Sequence, residues 1–261
     1  MTGLKGSQLK EKIGRGEPVF GTWLSITDPA VTRMFTQLGF DFLLIDLEHS
    51  TINPETLQTM LLMFSNTSTC PIVRVPWHEP HWSKWALDAG AEGILFPNVT
   101  NAEMARQLVK QCKYPLEGER GFFPKTASNF LIDLPEYMDG INERILVWMQ
   151  IEHAEGIRNL GEILEVQGLD AILIGPADLS FSLGVGNQYD HPAFEAALQD
   201  IFTNARQACI PVAYHMYDLS AQALEKGRHA SIFSFGVDII FARLGALQTL
   251  EKVRKSIQLK L

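Results

Sequence analysis

Apolar residues in this chain fall into short continuous runs. Between the runs they recur every three or four positions. The runs are Phe20–Leu24, Phe42–Asp46, Ile72–Val75, Gly93–Phe96, Leu146–Ile151, Ala171–Ile174, Val212–His215 and Val237–Phe241. They are rich in β-branched and aromatic residues, which is the pattern of parallel strands buried on both faces. The stretches between them predict helices. Asp28-Pro29 and Asn53-Pro54 each supply an N-cap followed by proline, and Gly39 closes the first of these helices. His191-Pro192 precedes a long helical pattern that runs through Ala208. Eight strands alternating with helices predict an α/β fold, a (β/α)₈ TIM barrel, as a single domain over residues 1–261. An open doubly wound sheet would place a glycine-rich turn after its first strand. Here Gly21 leads into Thr22-Trp23-Leu24-Ser25, and Gly184-Val185-Gly186 has no strand before it.

One connection is long. Between Pro97 and Arg144 the pattern gives a helix over 101–113, then Gly118-Glu119-Arg120-Gly121-Phe122-Phe123-Pro124 and a polar stretch. A segment of that kind inside a compact domain reads as a lid or a subunit contact.

Charge and composition narrow the partners. A net charge of −8, with no basic run, argues against nucleic acid. The start of the chain leads into a polar helix rather than an apolar signal segment, and no apolar run approaches the ~18–20 residues of a membrane span. Three dispersed cysteines, Cys70, Cys112 and Cys209, suit structural thiols in a reducing cytoplasm.

The candidate chemistry collects where a barrel keeps its active site, at the C-terminal ends of the strands. Strand five ends Gln150-Ile151-Glu152, and strand six ends Gly175-Pro176-Ala177-Asp178. Side-chain alternation turns Gln150 and Glu152 into the lumen, where unpaired charge is costly. One divalent cation between Glu152 and Asp178 answers that need, with Mg²⁺ or Mn²⁺ fitting an oxygen-rich site. Co²⁺ is a third candidate, and a pair of salt bridges is the non-metal alternative. Arg74 ends strand three and offers a fixed cation to a carboxylate or enolate, or a structural partner to a strand-two acid. Strand two ends Asp46-Leu47-Glu48-His49, and a histidine beside carboxylates suits a general base. His153 and His215 could reach the same mouth. His78 and His81 open a helix beside Pro80 and are expected in solvent, and His191 and His229 read as helix-boundary or surface residues. No lysine falls in a predicted strand, and Lys125 alone is expected near the mouth, which disfavours imine chemistry. Ser180 and Ser182 lack an adjacent base.

Leu44-Ile45-Asp46-x-Glu48-His49, Val73-Arg74-Val75-Pro76, Gln150-Ile151-Glu152 and Ile174-Gly175-Pro176-Ala177-Asp178-Leu179-Ser180 together resemble the HpcH/HpaI class II pyruvate aldolases. The likeness runs from about Phe20 to Gly245. Leu87-Asp88-Ala89-Gly90, Tyr114-Pro115-x-x-Gly118-x-Arg120-Gly121 and Gly236-Val237-Asp238 extend it. The resemblance implies a phosphoenolpyruvate/pyruvate-type barrel that exchanges its last helix within a homo-oligomer, a hexamer or trimer. It implies a divalent metal on Glu152 and Asp178. Pyruvate would be bordered by Gln150, Gly175, Pro176, Ala177 and Asp178. It gives Arg74 the enolate oxygen and His49 the role of base, paired with Asp88. Asp46, nearer in sequence, is the competing partner for His49. The substrates implied are a 4-hydroxy-2-oxo acid, pyruvate and an aldehyde.

The chain departs from the family at Leu47, at Ser50-Thr51-Ile52-Asn53 and through Arg120–Thr126. With Tyr214-His215-Met216-Tyr217, that last segment is expected on the aldehyde side, where aromatic residues suggest a bulkier or less anionic aldehyde than succinic semialdehyde. An oxaloacetate-type decarboxylase or a CoA-acid lyase on the same residues is the nearest alternative, though no basic cluster suits CoA phosphates. A non-catalytic metal- or ligand-binding barrel is a third. The spacing of Ala246–Ile257 fits an exchanged apolar helix.

Overall fold

The computed structural model describes residues 5–217 and 219–258. Eight strands, β1 (Val19–Leu24), β2 (Phe42–Asp46), β3 (Cys70–Arg74), β4 (Gly93–Phe96), β5 (Leu146–Ile151), β6 (Ala171–Ile174), β7 (Val212–Met216) and β8 (Ile232–Val237), close into a barrel. They follow one another in chain order, all pairings are parallel, and β8 returns to β1. This is the (β/α)₈ TIM barrel that the alternation predicts.

Alternation within the strands sorts the two cores. Along β5, Leu146 and Trp148 belong to the lumen cluster, whereas Val147, Met149 and Ile151 pack outward against the helices. The lumen is filled by large side chains. The Phe42 and Trp148 rings meet edge-to-face at 5.3 Å. Gly21 is required beside them, since a Cβ there would lie 2.3 Å from the Phe42 ring. The N-terminal helix Lys5–Gly14 lays Leu9 into the same cluster and closes the lower end of the barrel. With that end plugged, the C-terminal strand ends form the mouth.

The eighth strand differs from expectation. Val237–Phe241 reads as a strand because it is apolar, but Asp238–Gln258 is a helix. The strand is the preceding Ile232–Val237, which turns Ile232 and the small Ser234 into the lumen. Asp238 makes the boundary. Its carboxylate accepts the Ser25 backbone N–H at 2.9 Å, the Ser25 hydroxyl at 2.7 Å and the Ile26 N–H at 2.8 Å. It thereby ties the end of β8 to the loop after β1.

The long connection is ordered by its own contacts. It holds a helix at Ala102–Cys112 and short helices at Leu134–Met138 and Ile141–Arg144. Between them, the Arg120 guanidinium lies 4.4 Å from the Tyr114 ring and bonds Asp88 at 2.8 Å. Phe122, Phe123, Phe130, Leu131 and Ile132 are exposed. No helix among the described residues is long and apolar enough to cross a membrane.

Candidate active site

The strand ends define a mouth in which side chains of β1, β2, β3, β5, β6 and β7 converge. Arg74, last residue of β3, is buried. Asp46, beside it in register on β2, accepts from its Nε at 2.9 Å and its Nη2 at 2.7 Å. Glu48 lies 3.0 Å from its Nη1, and the guanidinium carbon lies 4.3 Å from the Trp23 ring. A planar fork held on two edges and one face cannot swing, so its charge is fixed toward the cavity.

Glu152 follows β5 and is buried. Its Oε1 accepts the Asn98 backbone N–H at 2.8 Å, and its Oε2 accepts from Gln150 Nε2. Burial above all, then the negative charges of Asp178 and Glu48, push its carboxyl up to about 7. Burial likewise raises Glu48. Asp178 lies in the first turn of the helix Pro176–Ser182, after β6 and Gly175, and is exposed.

A cavity of about 380 Å³ opens beside these groups. Its walls include Asp46, His49, Arg74, Gln150, Gly175, Pro176, Asp178 and His215. Two features fit a divalent cation at Glu152 and Asp178. Gln150 Oε1 is buried with no hydrogen-bond partner among the described residues. Gly175 keeps space open in front of the carboxylate, since a Cβ there would lie 2.5 Å from Glu152 Oε2. Buried acids whose carboxyl is pushed up by neighbouring acids are relieved by positive charge. The donor set is two carboxylates; among the described residues no group of three or more His, Cys, Asp or Glu is placed to share a metal ion.

The sequence candidates separate. Asp46, Arg74, Gln150, Glu152, Gly175, Pro176 and Asp178 come together. Ala177 lies between Pro176 and Asp178, and its carbonyl accepts the Ser180 hydroxyl at 2.6 Å. His49 lines the cavity with an exposed side chain, its Nε2 3.8 Å from Glu48 Oε2. Asp46 reaches the His49 backbone N–H at 3.3 Å rather than its ring, because both carboxylate oxygens hold Arg74.

Asp88 does not reach His49 within the chain. It ends the helix Pro80–Ala89, which runs back from the mouth, and its carboxylate is held by Arg120. Its carbonyl accepts the Ala127 N–H at 3.1 Å, which carries Lys125 and the rest of that segment away from the mouth as well. The expectations for Asp88 as partner of His49 and for Lys125 near the mouth are therefore not met in one chain. Arg120–Thr126 do not line this cavity.

His153 is also outside the mouth: it is exposed and caps the helix Ala154–Arg158. His78 is half-buried rather than in solvent, its Nε2 2.6 Å from the Pro97 carbonyl. Ser182 accepts the Ala154 N–H, and Ser180 accepts that of Asn187.

Glu48 stands in the strand-two motif without a role assigned to it, and two further participants, Trp23 and Ser234, escape a reading by motif. Glu48 touches both Arg74 and His49; its position two residues after Asp46 was the available signal. Trp23 and Ser234 lie in the lumen beside His215. They come from strands at opposite ends of the sequence, so only barrel closure unites them.

The chain was also compared with known proteins. The HpcH/HpaI aldolase/citrate lyase family model matches residues 19–242. The 4-hydroxy-2-oxo-heptane-1,7-dioate aldolase of Klebsiella pneumoniae is 36% identical over 240 residues, covering 91% of this chain and 90% of that protein. Among solved structures, an HpcH/HpaI aldolase/citrate lyase family protein from Burkholderia cenocepacia aligns with a TM-score of 0.88 at 28% identity, covering 95% of this chain and 99% of that one. The citrate synthase SbnG aligns with a TM-score of 0.81 at 30% identity, covering 95% and 98%.

Proposed function

Because the chain belongs to the HpcH/HpaI aldolase/citrate lyase family, we propose that it is a carbon–carbon lyase of the class II pyruvate aldolase kind. It would cleave a 4-hydroxy-2-oxo acid to pyruvate and an aldehyde. The observation that carries this reading is a cavity lined by a clamped Arg74 and by Asp178, with the buried Glu152 carboxylate close enough behind Gln150 and Gly175 to feel the charge of Asp178. The aldolase name of the Klebsiella relative supports the reaction class.

Glu152 and Asp178 would hold a divalent cation, which when bound supplies Lewis-acid stabilisation of negative charge on the substrate. Arg74 would face the 2-oxo oxygen with a positive charge that needs no reorganisation as the oxygen becomes anionic. Asp46 and Glu48 keep it there. His49 would take the proton of the 4-hydroxyl, directly or through water, worth roughly 10²–10⁴-fold for a positioned base. The C4 oxygen then becomes the aldehyde carbonyl as the C3–C4 bond breaks. The electron pair of that bond passes to the 2-oxo oxygen, and protonation at C3 completes pyruvate. Gln150 and the backbone of Gly175, Pro176 and Ala177 would border the pyruvate end.

Pyruvate release from a generic 4-hydroxy-2-oxo acid tests this, with and without EDTA and after restoring Mg²⁺ or Mn²⁺. Loss on chelation, recovery with metal and an inactive Glu152→Gln variant are expected. Activity that persists in EDTA and is trapped by borohydride with pyruvate would overturn it. The likeness to a citrate synthase favours a second reading, in which the same residues handle the enolate of a larger acid. Carbon dioxide release from oxaloacetate, faster than any aldol cleavage, would mark the decarboxylase form of it.

A further inference from the structure

His215 is an unusual residue to find inside a barrel. It sits in β7, buried, and lines the catalytic cavity. Its Nδ1 lies 3.1 Å from Trp23 Nε1 and 3.0 Å from the Ser234 hydroxyl, and Trp23 Nε1 lies 2.8 Å from the same hydroxyl. An indole N–H can only donate. Nδ1 is thereby placed to accept from Trp23, and the Ser234 hydroxyl, which accepts from the same indole, has its own proton free for that nitrogen. A proton on Nδ1 would face the Trp23 hydrogen across 3.1 Å. Burial above all, with the nearby charge of Arg74, holds the imidazole neutral by pushing its titration down to about 3, against a smaller opposing pull from the Ser234 backbone. A neutral ring whose Nδ1 accepts carries its one proton on Nε2. No side-chain hydrogen bond to that nitrogen is found among the described residues, and the ring borders the cavity. The Tyr217 ring packs edge-on against the imidazole at 4.5 Å and limits its rotation.

We propose that His215 is a specificity-determining residue whose Nε2–H, fixed in that tautomer by Trp23 and Ser234, donates to a substrate hydroxyl oxygen outside the bond that breaks. This rests on the aldolase reading and deepens it: the preferred substrates carry a further hydroxyl next to the reacting carbons. A neutral donor in a pocket shared with Arg74 rejects ammonium groups. It also discriminates against a plain alkyl group, which would leave the N–H unpaired.

Two substrate pairs test it with the full-length, metal-loaded enzyme. The first compares glycolaldehyde with acetaldehyde as acceptor for pyruvate. The second compares hydroxypyruvate with pyruvate as donor to one aldehyde. In at least one pair the wild type should favour the hydroxylated member in kcat/KM. His215→Leu should lose roughly three- to tenfold of that ratio, the worth of one neutral hydrogen bond, mainly through KM. His215→Gln, which restores an N–H, should recover part of it. The pair that responds locates the hydroxyl on the aldehyde or on the 2-oxo acid. Wild type without hydroxyl preference, or a ratio unmoved by His215→Leu in both pairs, overturns the proposal. Pyruvate C3–H exchange in D₂O by the wild type reports the aldolase reading separately: exchange with no hydroxyl effect removes only His215's role. Absence of both exchange and aldol products removes both. One readout needs no activity. In ¹⁵N-histidine-labelled protein, the signal that vanishes in His215→Gln should show the Nε2–H tautomer, and an Nδ1–H pattern overturns the proposal.

Discussion

Glu152 is a carboxylate held where burial alone would keep it protonated. The motif Gln150-Ile151-Glu152 is enough to turn both polar groups inward, but the depth of burial, the main cause of the raised carboxyl, and the added charges of Asp178 and Glu48 come from the closed barrel and its loops. That consequence is measurable in metal-free protein. The carboxyl titrates at about 7 when folded, against an ordinary value of 4.5. Between these values the folded chain holds a proton that the unfolded chain has lost, so stability falls as pH rises through the window. Below about 4.5 both states are protonated and the penalty is absent; above about 7 it is fully present. Urea midpoints in EDTA should therefore be higher at pH 5 than at pH 8, by up to roughly 3 kcal/mol in unfolding free energy. Glu152→Gln should flatten that difference, because an amide does not titrate. Parallel pH profiles for variant and wild type would show that Glu152 is not the group responsible. Added Mn²⁺ should stabilise the wild type more at pH 8 than at pH 6, since a ligand must give up its proton before it binds.

Among the elements, seven strands are legible from apolar runs because, the exposed Phe20 of β1 apart, they are buried on both faces, and such strands need no polar alternation. The eighth was not, for a physical reason. In β8 only Ile232 adds an apolar side chain to the lumen; Ser234 is small and polar beside Trp23 and His215, and Gly236, at φ +64, has no room for a Cβ against the Phe241 ring. Its outward residues Phe233 and Phe235, and Val237 at the mouth, are only half-buried. The greasier run Val237–Phe241 therefore looked more like a strand than the strand itself. The site was legible to the same extent: residues at strand ends were found, whereas side chains united by barrel closure were not. Asp238 marks the strand–helix boundary by satisfying two backbone N–H groups and a hydroxyl after β1. Asp238→Ala would leave these half-buried donors without their partner, at a cost of roughly 1–3 kcal/mol. A lower urea midpoint with an unchanged slope is expected. An unchanged midpoint would mean that the clamp adds nothing to closure between β8 and β1.

For the whole molecule, the helix Asp238–Gln258 poses the largest packing problem. Its first turn is anchored by Asp238, yet from Ala242 through Ile257 every residue is exposed in the single chain. Leu244, Leu247, Leu250, Val253 and Ile257 recur every three or four positions, an apolar stripe with nothing against it. Beside the root of the helix, Ile26, Val31, Met34, Phe35, Leu38, Phe40 and Phe241 line an apolar hollow of about 430 Å³. An exposed stripe and an exposed hollow on one chain are complementary surfaces, and two copies can satisfy both by exchanging helices. Trp77, Trp85, Phe122, Phe123 and Ile132 add a second exposed apolar region, where further copies could assemble around such a pair. We therefore propose a homo-oligomer built on exchanged C-terminal helices. Light scattering after size exclusion should give an even multiple of the chain mass for paired exchange. Leu247→Asp with Leu250→Asp should lower the assembled mass and expose dye-binding apolar surface while barrel circular dichroism persists. A wild type that elutes as a monomer at micromolar concentration would overturn the proposal, as would an assembly indifferent to both charges.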